Sequence, residues 1–196
     1  MIIGLTGGIG SGKSIVAKLF ETIGCANYNS DDRAKELYFK PIIKQAVIEL
    51  LGTEAYVSET VINKDYISKK VFSDTKLLHQ LNDIIHPAVK EDFIQFKSKF
   101  PLNTIIIKES ALLFETSIYK DLNYNILVTA PIHIKIERVM KRNSVSKSDI
   151  EKRIQAQWTD EQKIPLANAI IVNDNDTALI PQVISIIEKL KSNAQA

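Results

Sequence analysis

The residues near the start of the chain that could do chemistry are a lysine and a serine placed behind a run of glycines. Residues 7–14 read GGIGSGKS, which fits the pattern G-x-x-x-x-G-K-[ST]. Glycines let the backbone turn with positive φ, so that successive N–H groups converge on an oxyanion. Lys13 would reach the β- and γ-phosphates of a nucleotide, and the Ser14 hydroxyl would bind Mg²⁺. Ile15 has no side-chain hydroxyl, so only its backbone N–H could contact the α-phosphate. The segment therefore predicts a phosphate-binding loop, or P-loop.

Acidic residues follow two of the predicted strands. Asp31 and Asp32 come shortly after the apolar segment CANY. An open parallel sheet binds ligands at the carboxyl ends of its strands, so one of these carboxylates is expected to face the phosphate site. The alternative is that both acids only favour the dipole of a helix capped by Ser30. Glu109, at the carboxyl end of a strand expected over 103–110, would hold a Mg²⁺-bound water.

A basic segment lies in the second half of the chain. Residues 135–153 hold seven basic residues and three acidic ones. Arg138 and Arg142 are four residues apart, hence on one face of a predicted helix. Together with Arg153 they flank the loop NSVSKSD, which suits a lid over about 138–160 that closes on ATP and excludes water. The alternative is a solvated helical face, which is the better interpretation for the individual lysines.

The elements that must position these groups follow from the apolar pattern. Short apolar runs alternate with helical patterns, which predicts an α/β fold. Five runs predict the strands of a parallel sheet: 2–6, 25–28, 103–110, 124–130 and 168–174. The P-loop stands between the first of these strands and a helical pattern that starts at Lys13. The expected architecture is a P-loop NTPase-type three-layer α/β/α core with a five-stranded parallel sheet.

A long stretch between the second and third strands looks different. Residues 40–100 show little strand signal and repeat apolar residues at helical intervals. This predicts a helical insert over 31–100 within a core made of 1–30 and 101–196. The pair His86-Pro87 is expected to break or bend the long helical stretch, because the residue before a proline avoids the α region.

The overall composition narrows the class of protein. The formal net charge of +2 does not indicate a nucleic-acid binder. Cys25 is the single cysteine, so an internal disulfide and a thiolate-rich zinc site are excluded. No uncharged apolar run approaches the roughly 20 residues of a membrane helix, and residues 1–15 lack the pattern of a secretory signal. We expect a cytoplasmic protein with neither a membrane nor a nucleic acid as partner.

A P-loop does not by itself identify the reaction. A GTP-driven switch needs D-x-x-G, yet none of the seven glycines has an aspartate three positions earlier. It also needs N-K-x-D, and the segment NKDY at 63–66 has its aspartate one place too early. A motor ATPase would be longer and would carry a later glycine-rich signature, which is missing. A small kinase that phosphorylates a bound small molecule remains.

The motifs taken together resemble those of the dephospho-CoA kinase family over essentially the whole chain. Six parts of the chain correspond to motifs of that family: 5–14 to L-T-G-G-I-G-S-G-K-S, 29–34 to D-A-D-x-x-A, 86–87 to H-P, 109–115 to D-x-P-L-L-F-E, 153–157 to R-x-x-x-Q, and Asn173 to a late asparagine. Three positions depart from that pattern. Asn29 replaces the first aspartate of D-A-D, Glu109 replaces the next motif's aspartate, and Ala111 replaces its proline.

The resemblance implies phosphorylation of the ribose 3′-hydroxyl of dephospho-CoA, the last step of coenzyme A synthesis, with ATP and Mg²⁺. Dephospho-CoA would bind the helical insert, and the protein would be a monomer or a weak homo-oligomer. The implied catalytic residues are Asp31, which orients the hydroxyl, Lys13 and Arg138. The other implied nucleotide-binding residues are Gly8, Ile9, Gly10, Ser11, Gly12, Ser14, Ile15, Arg142 and Asn173. The other implied substrate-binding residues are His86, Leu113 and Glu115.

Two other functions are compatible with a P-loop of this kind. One is another P-loop kinase, acting on a nucleoside or a nucleotide. The other is a nucleotide-binding regulatory or scaffold protein that transfers no phosphate. The intact Lys13 and Ser14, together with the acids at the strand ends, argue against the scaffold.

Overall fold

Strands and helices alternate along most of the chain. The computed structural model describes residues 1–142 and 146–193. Within these residues the strands are Ile2–Thr6 (β1), Ala26–Asn29 (β2), Tyr56–Ser58 (β3), Val61–Ile62 (β4), Ile106–Glu109 (β5), Tyr124–Thr129 (β6) and Ala169–Val172 (β7). The α-helices are Lys13–Thr22 (α1), Ser30–Leu37 (α2), Pro41–Leu51 (α3), Lys64–Ser73 (α4), Thr75–Lys97 (α5), Ile132–Arg142 (α6), Lys147–Gln155 (α7), Asp160–Lys163 (α8) and Leu179–Asn193 (α9).

Five strands form one parallel sheet in the order β2-β5-β1-β6-β7, which confirms the predicted fold class. The first strand in the chain therefore lies at the centre of the sheet. Leu5 of β1 is the register partner of Glu109 in β5, and Asn29 of β2 is the partner of Glu109 on its other side. The carboxyl ends of three strands thus meet at one edge, which is where open parallel sheets bind ligands.

Alternate residues of the sheet face a core that α1 and α9 complete. Ile3 and Leu5 are fully buried in this core together with Phe20 of α1. Side chains alternate along a strand, so Gly4 faces the opposite side of the sheet. A Cβ at Gly4 would come within 2.6 Å of the Leu113 side chain. The segment that follows β5 therefore packs closely on that face.

The chain forms two compact units, Met1–Asn29 with Pro101–Ala196 and Ser30–Phe100. The second unit holds α2 to α5 around its own core, which includes Val47 and Leu81. It also holds an antiparallel hairpin of β3 and β4, which the sequence did not predict. Strands of 3 and 2 residues are too short to show a period-two pattern.

His86-Pro87 does not break the long helical stretch: of the expected break or bend, the break is wrong and the bend stays a prediction. The helix α5 continues through Pro87. A proline lacks the N–H that would bond the carbonyl four residues earlier. Pro87 and Asp83 are both exposed, so water can satisfy that carbonyl. Leu81 and Phe93 are buried on either side of the proline, and this packing compensates for the lost bond.

The turn between β1 and α1 depends on two glycines of the P-loop. Gly10 and Gly12 have φ angles of 80° and 89°, a backbone region that residues with a side chain rarely adopt. A Cβ at Gly12 would overlap Nδ2 of Asn173, and a Cβ at Gly10 would overlap the backbone carbonyl of Lys135. Glycine is therefore required at both positions for conformation and for space.

In the second unit, Arg33 of α2 and Asp92 of α5 form a bidentate ion pair. Nε and Nη2 of Arg33 lie 2.8 and 2.6 Å from the two carboxylate oxygens of Asp92, which is 5% exposed. Arg33 also contacts Glu36 at 2.7 Å, but the Glu36 side chain is 64% exposed. The two acids thus share one arginine and differ strongly in burial.

We expect Gly12→Ala to lower the free energy of unfolding more than Gly24→Ala does. Gly24 has a similar φ of 93°, but apart from its neighbours no atom of the described chain lies within 4 Å of a Cβ there. Alanine at 24 therefore adds only backbone strain of roughly 1–2 kcal/mol. At Gly12 the overlap with Asn173 should add about 1–3 kcal/mol. Urea unfolding measures both variants, and equal losses would contradict the steric limit at Gly12.

We expect Asp92→Ala to destabilise the protein and Glu36→Ala to leave its stability nearly unchanged. Charge-assisted hydrogen bonds to a buried carboxylate contribute about 1.5–3 kcal/mol. An exposed pair on one helix contributes less than about 0.5 kcal/mol. Urea unfolding of the two variants makes the comparison. Similar losses for both would show that burial of Asp92 does not strengthen its bonds to Arg33.

Candidate active site

The P-loop lines a cavity of about 520 Å³ in the core unit. Residues 7–15 line it together with Arg138, Arg142 and Gln157. The helix α1 starts at Lys13, so the positive end of the helix dipole adjoins the cavity. The structure therefore brings the predicted glycines, Lys13, Ser14, Ile15 and Arg142 to a single cavity.

A carboxylate is shared by the two reactive residues of the loop. Oε1 of Glu109 accepts a hydrogen bond from Nζ of Lys13 at 2.9 Å and from Oγ of Ser14 at 3.1 Å. Glu109 ends β5 and is 1% exposed. The acid that sequence reasoning placed at a strand end is thus in direct contact with the P-loop lysine and serine.

This group of side chains fits a magnesium ion. The Ser14 hydroxyl and the Glu109 carboxylate supply oxygen donors, which Mg²⁺ prefers. The described residues contain no cluster of three or more His, Cys, Asp and Glu side chains able to hold a metal. A small donor set still suits Mg²⁺, which keeps several waters and takes other ligands from phosphates.

The carbonyl side of the P-loop is supported by Arg138 and Asn173. Nη1 of Arg138 lies 3.5 Å from the carbonyl oxygens of Gly10 and Ser11. Nη2 donates to Oδ1 of Asn173 at 3.1 Å, and Nδ2 of Asn173 donates to the Ser11 carbonyl at 2.8 Å. In this structure the Arg138 guanidinium therefore contacts the backbone of the loop.

The turn after β7 holds the partners of Arg138 in place. Asn175 has a φ of 75° and accepts a hydrogen bond from Arg138 through Oδ1. The Asp174 carboxylate accepts backbone N–H bonds from Thr177 at 2.7 Å and Asp176 at 3.1 Å. These bonds, that of Thr177 first, lower the pKa of Asp174. The ionised carboxylate thus stabilises a turn that presents two asparagines to one arginine.

The predicted lid covers the end of α6 and all of α7. Arg142 is exposed and lines the P-loop cavity, whereas Arg153 is exposed on α7. Part of the predicted lid loop, residues 143–145, lies outside the described residues. Closure of this segment over a nucleotide stays a prediction.

Lys135 differs from the predicted solvated lysine. Its Nζ lies 2.6 Å from Oδ2 of Asp160, and only 9% of its side chain is exposed. Lys135 stands four residues before the buried Val139, hence on the buried face of α6. That spacing was a signal in the sequence that pointed to burial. Sequence reasoning also missed Asp160, which carries no motif.

A further contact with the loop comes from Gln157. The backbone N–H of Ile9 donates to Oε1 of Gln157 at 3.0 Å. The sequence indicated Gln157 only as the last residue of R-x-x-x-Q, with no role attached. It also lines a second cavity of about 610 Å³, which lies against Gly8 and Ile9 and includes Trp158.

Two residues predicted to bind substrate are occupied by the protein itself. Leu113 is fully buried against Gly4, so its side chain is a packing residue and is not open to a substrate in this structure. Oε1 of Glu115 accepts the backbone N–H of Trp158 at 3.1 Å and lies 2.9 Å from Nζ of Lys163. Lys163 is 0% exposed. Its contact with Glu115 has the distance of an ion pair without hydrogen-bond geometry.

The remaining predicted residues belong to the second unit. Asp31 is half-buried in the first turn of α2, directly after the strand that ends at Asn29. Asp32 is exposed and lies 2.6 Å from Nζ of Lys35 on the same helix. His86 is exposed on α5. Both acids lie in the first turn of α2, as the helix-dipole alternative expects, and Asp32 is the more exposed of the two.

The chain is similar to known proteins over nearly its whole length. The dephospho-CoA kinase family model matches residues 1–178. A dephospho-CoA kinase of Bacteroides fragilis is 38% identical over 186 residues, which are 94% of this chain and 90% of that protein. A solved Thermus thermophilus structure has a TM-score of 0.85 at 27% identity, over 98% and 97% of the two chains.

A second solved structure shares the fold at lower identity. It is a dephospho-CoA kinase from Campylobacter jejuni, with a TM-score of 0.69 at 22% identity over 98% of both chains. In the described part of this chain, no helix is both long and apolar enough to cross a membrane. This chain therefore belongs to the dephospho-CoA kinase family, whose members phosphorylate dephospho-CoA to coenzyme A.

Proposed function

We propose that this chain transfers the γ-phosphoryl group of ATP to the ribose 3′-hydroxyl of dephospho-CoA, with the P-loop as the triphosphate site. The kinase activity of the family implies ATP as the donor. The observation that carries the proposal is Oε1 of Glu109, 2.9 Å from Lys13 Nζ and 3.1 Å from Ser14 Oγ. Phosphoryl transfer needs a cation, a metal ligand and an acid around one phosphate site, and these three residues supply them.

Ser14 and Glu109 would hold Mg²⁺, the acid through a water molecule. When bound, Mg²⁺ would neutralise charge on the β- and γ-phosphates. The bonds that Glu109 makes to Lys13 and Ser14 support this assignment, because they orient both side chains before any nucleotide arrives. Little reorganisation is then needed at the moment of reaction.

The arginines would divide between two tasks. Arg142 is exposed at the cavity and is the better placed to reach a phosphate. Arg138 is bonded to Asn173 and to the loop carbonyls, which supports a role in holding the loop. A direct catalytic contact of Arg138 stays a prediction, since the guanidinium would have to leave these partners.

The acceptor would bind the unit of residues 30–100, with His86 among its contacts. Asp31 would accept a hydrogen bond from the ribose 3′-hydroxyl. As the 3′-oxygen bonds to the γ-phosphorus, the bond from that phosphorus to the β–γ bridging oxygen breaks, and the hydroxyl proton passes to Asp31. The place of Asp31 in the chain supports this role, because it follows Asn29, the last residue of β2, by two positions, and ligands of open parallel sheets bind at the carboxyl ends of the strands.

The alternative of another nucleoside or nucleotide kinase is not favoured by the family assignment. Shikimate kinase from Acinetobacter baumannii shares the fold alone, with a TM-score of 0.51 at 16% identity. A cytoplasmic location and a monomeric or weakly oligomeric state stay predictions.

We expect the purified protein, with Mg²⁺ and ATP, to release ADP rapidly only when dephospho-CoA is present. Adenosine, AMP and shikimate form the control panel, because each offers hydroxyls without the whole acceptor. A coupled ADP assay measures the rates, and mass spectrometry identifies the product. Faster turnover with AMP or adenosine than with dephospho-CoA would overturn the proposed function.

We expect Asp31→Asn to lower kcat by about 10²–10⁴-fold, the usual contribution of a general base. Binding of ATP should be preserved, because Asp31 lies outside the P-loop. Asp32→Asn is the matched control, since its carboxylate is exposed and pairs with Lys35. Its kcat should stay close to that of the parent. Steady-state kinetics and calorimetry with ATP measure both variants, and an unchanged kcat in Asp31→Asn would remove Asp31 from the mechanism.

A further inference from the structure

The carboxamide of Gln157 occupies a phosphate-type position on the P-loop. The backbone N–H of Ile9 donates to Oε1 of Gln157 at 3.0 Å. Backbone N–H groups of such loops are the donors that bind phosphate oxygens. An N–H group needs an acceptor, so the orientation of this carboxamide follows from the contact: its oxygen faces the loop. Gln157 is half-buried at the boundary of the P-loop cavity.

The backbone on both sides of Gln157 is anchored. Its own N–H donates to the carbonyl of Ile154 at 3.1 Å, and the next N–H, of Trp158, donates to Oε1 of Glu115 at 3.1 Å. Glu115 in turn lies 2.9 Å from the fully buried ammonium of Lys163. These contacts fix the backbone at Gln157 and thereby hold its side chain next to the P-loop.

The donor end of the same carboxamide is available. Nε2 of Gln157 donates no hydrogen bond to any residue within 1–142 or 146–193. The neighbouring cation, Lys135, is already paired with Asp160 at 2.6 Å. A Cβ at Gly8 would lie 3.5 Å from Lys135 Nζ and 3.7 Å from Gln157 Oε1, so both groups border this part of the loop.

The order of the loop indicates which phosphate comes here. The α-phosphate is expected at the N–H of Ile15, and Lys13 and Ser14 hold the β and γ region. The triphosphate then runs back along the loop, and its end is directed toward Gly8 and Ile9. The γ-phosphate is therefore the group that competes with Gln157 for the Ile9 N–H.

We propose that Gln157 is a γ-phosphate-binding residue that exchanges one hydrogen bond for another when ATP enters. A γ-phosphate oxygen takes the Ile9 N–H, and rotation about the last side-chain torsion of Gln157 turns its NH₂ group to donate to the same phosphate. The broad two-fold profile of that torsion makes the rotation easy. This assignment rests on the proposed function, because it needs a bound triphosphate.

Binding measurements without acceptor test this assignment. We expect Gln157→Ala to bind ADP within about 2-fold of the parent and to bind the ATP analogue adenylyl imidodiphosphate about 10- to 100-fold more weakly. Gln157→Glu can still accept from the Ile9 N–H but places a carboxylate beside the γ-phosphate. It should therefore weaken the analogue more than Gln157→Ala does. Calorimetry with Mg²⁺ measures each Kd, and circular dichroism verifies folding.

Gln155→Ala is the matched control, because Gln155 is an exposed glutamine at the end of α7, two residues before Gln157, and does not line the P-loop cavity. It should bind both nucleotides as the parent does. Equal weakening of ADP and the analogue by Gln157→Ala, or parental affinity for the analogue in Gln157→Glu, would overturn the role of Gln157. A parent protein that shows the expected nucleotide affinities but does not phosphorylate dephospho-CoA would instead contradict the proposed function. The difference between the effects of Gln157→Ala on the Kd of the analogue and on that of ADP would still test the role of Gln157.

Discussion

One carboxylate oxygen holds the reactive end of the P-loop together. Oε1 of Glu109 accepts hydrogen bonds from Lys13 and Ser14, the first two residues of α1. It can do so because parallel pairing places the carboxyl ends of β1 and β5 side by side, with Leu5 opposite Glu109. A cation, a hydroxyl and an acid thus meet at one cavity, although the acid is 95 residues from Ser14 in the sequence.

The carbonyl groups and the N–H groups of the P-loop contact different kinds of partner. Its carbonyls at Gly10 and Ser11 are bordered by donors, the Arg138 guanidinium and the Asn173 carboxamide. Its N–H group at Ile9 faces an acceptor, Oε1 of Gln157. The donors support the loop from the side that a phosphate does not use. The acceptor stands where an anion can replace it, because both compete for an N–H.

Much of this could be predicted from the sequence because it depends on local patterns. The strand, loop and helix around Lys13 follow from glycine spacing and apolar periodicity. The contact between Glu109 and the loop follows from a general property of parallel sheets. The hairpin of β3 and β4, the continuity of α5 through Pro87 and the burial of Leu113 could not be predicted, because packing against distant residues decides each of them.

By itself the sequence determined the fold class, the family and the residues of the P-loop, since these depend on residue types at short, regular spacings. Only the tertiary structure decided which side chains complete the site. Gln157, in the segment after α7, accepts a hydrogen bond from Ile9 of the loop, and the ion pair of Lys135 and Asp160 borders the loop at Gly8. Glu115 contacts the buried Lys163 and is not accessible to a substrate in this structure. The physical reason is that a hydrogen bond or an ion pair depends on ångström distances between elements, which sequence spacing within one element does not specify.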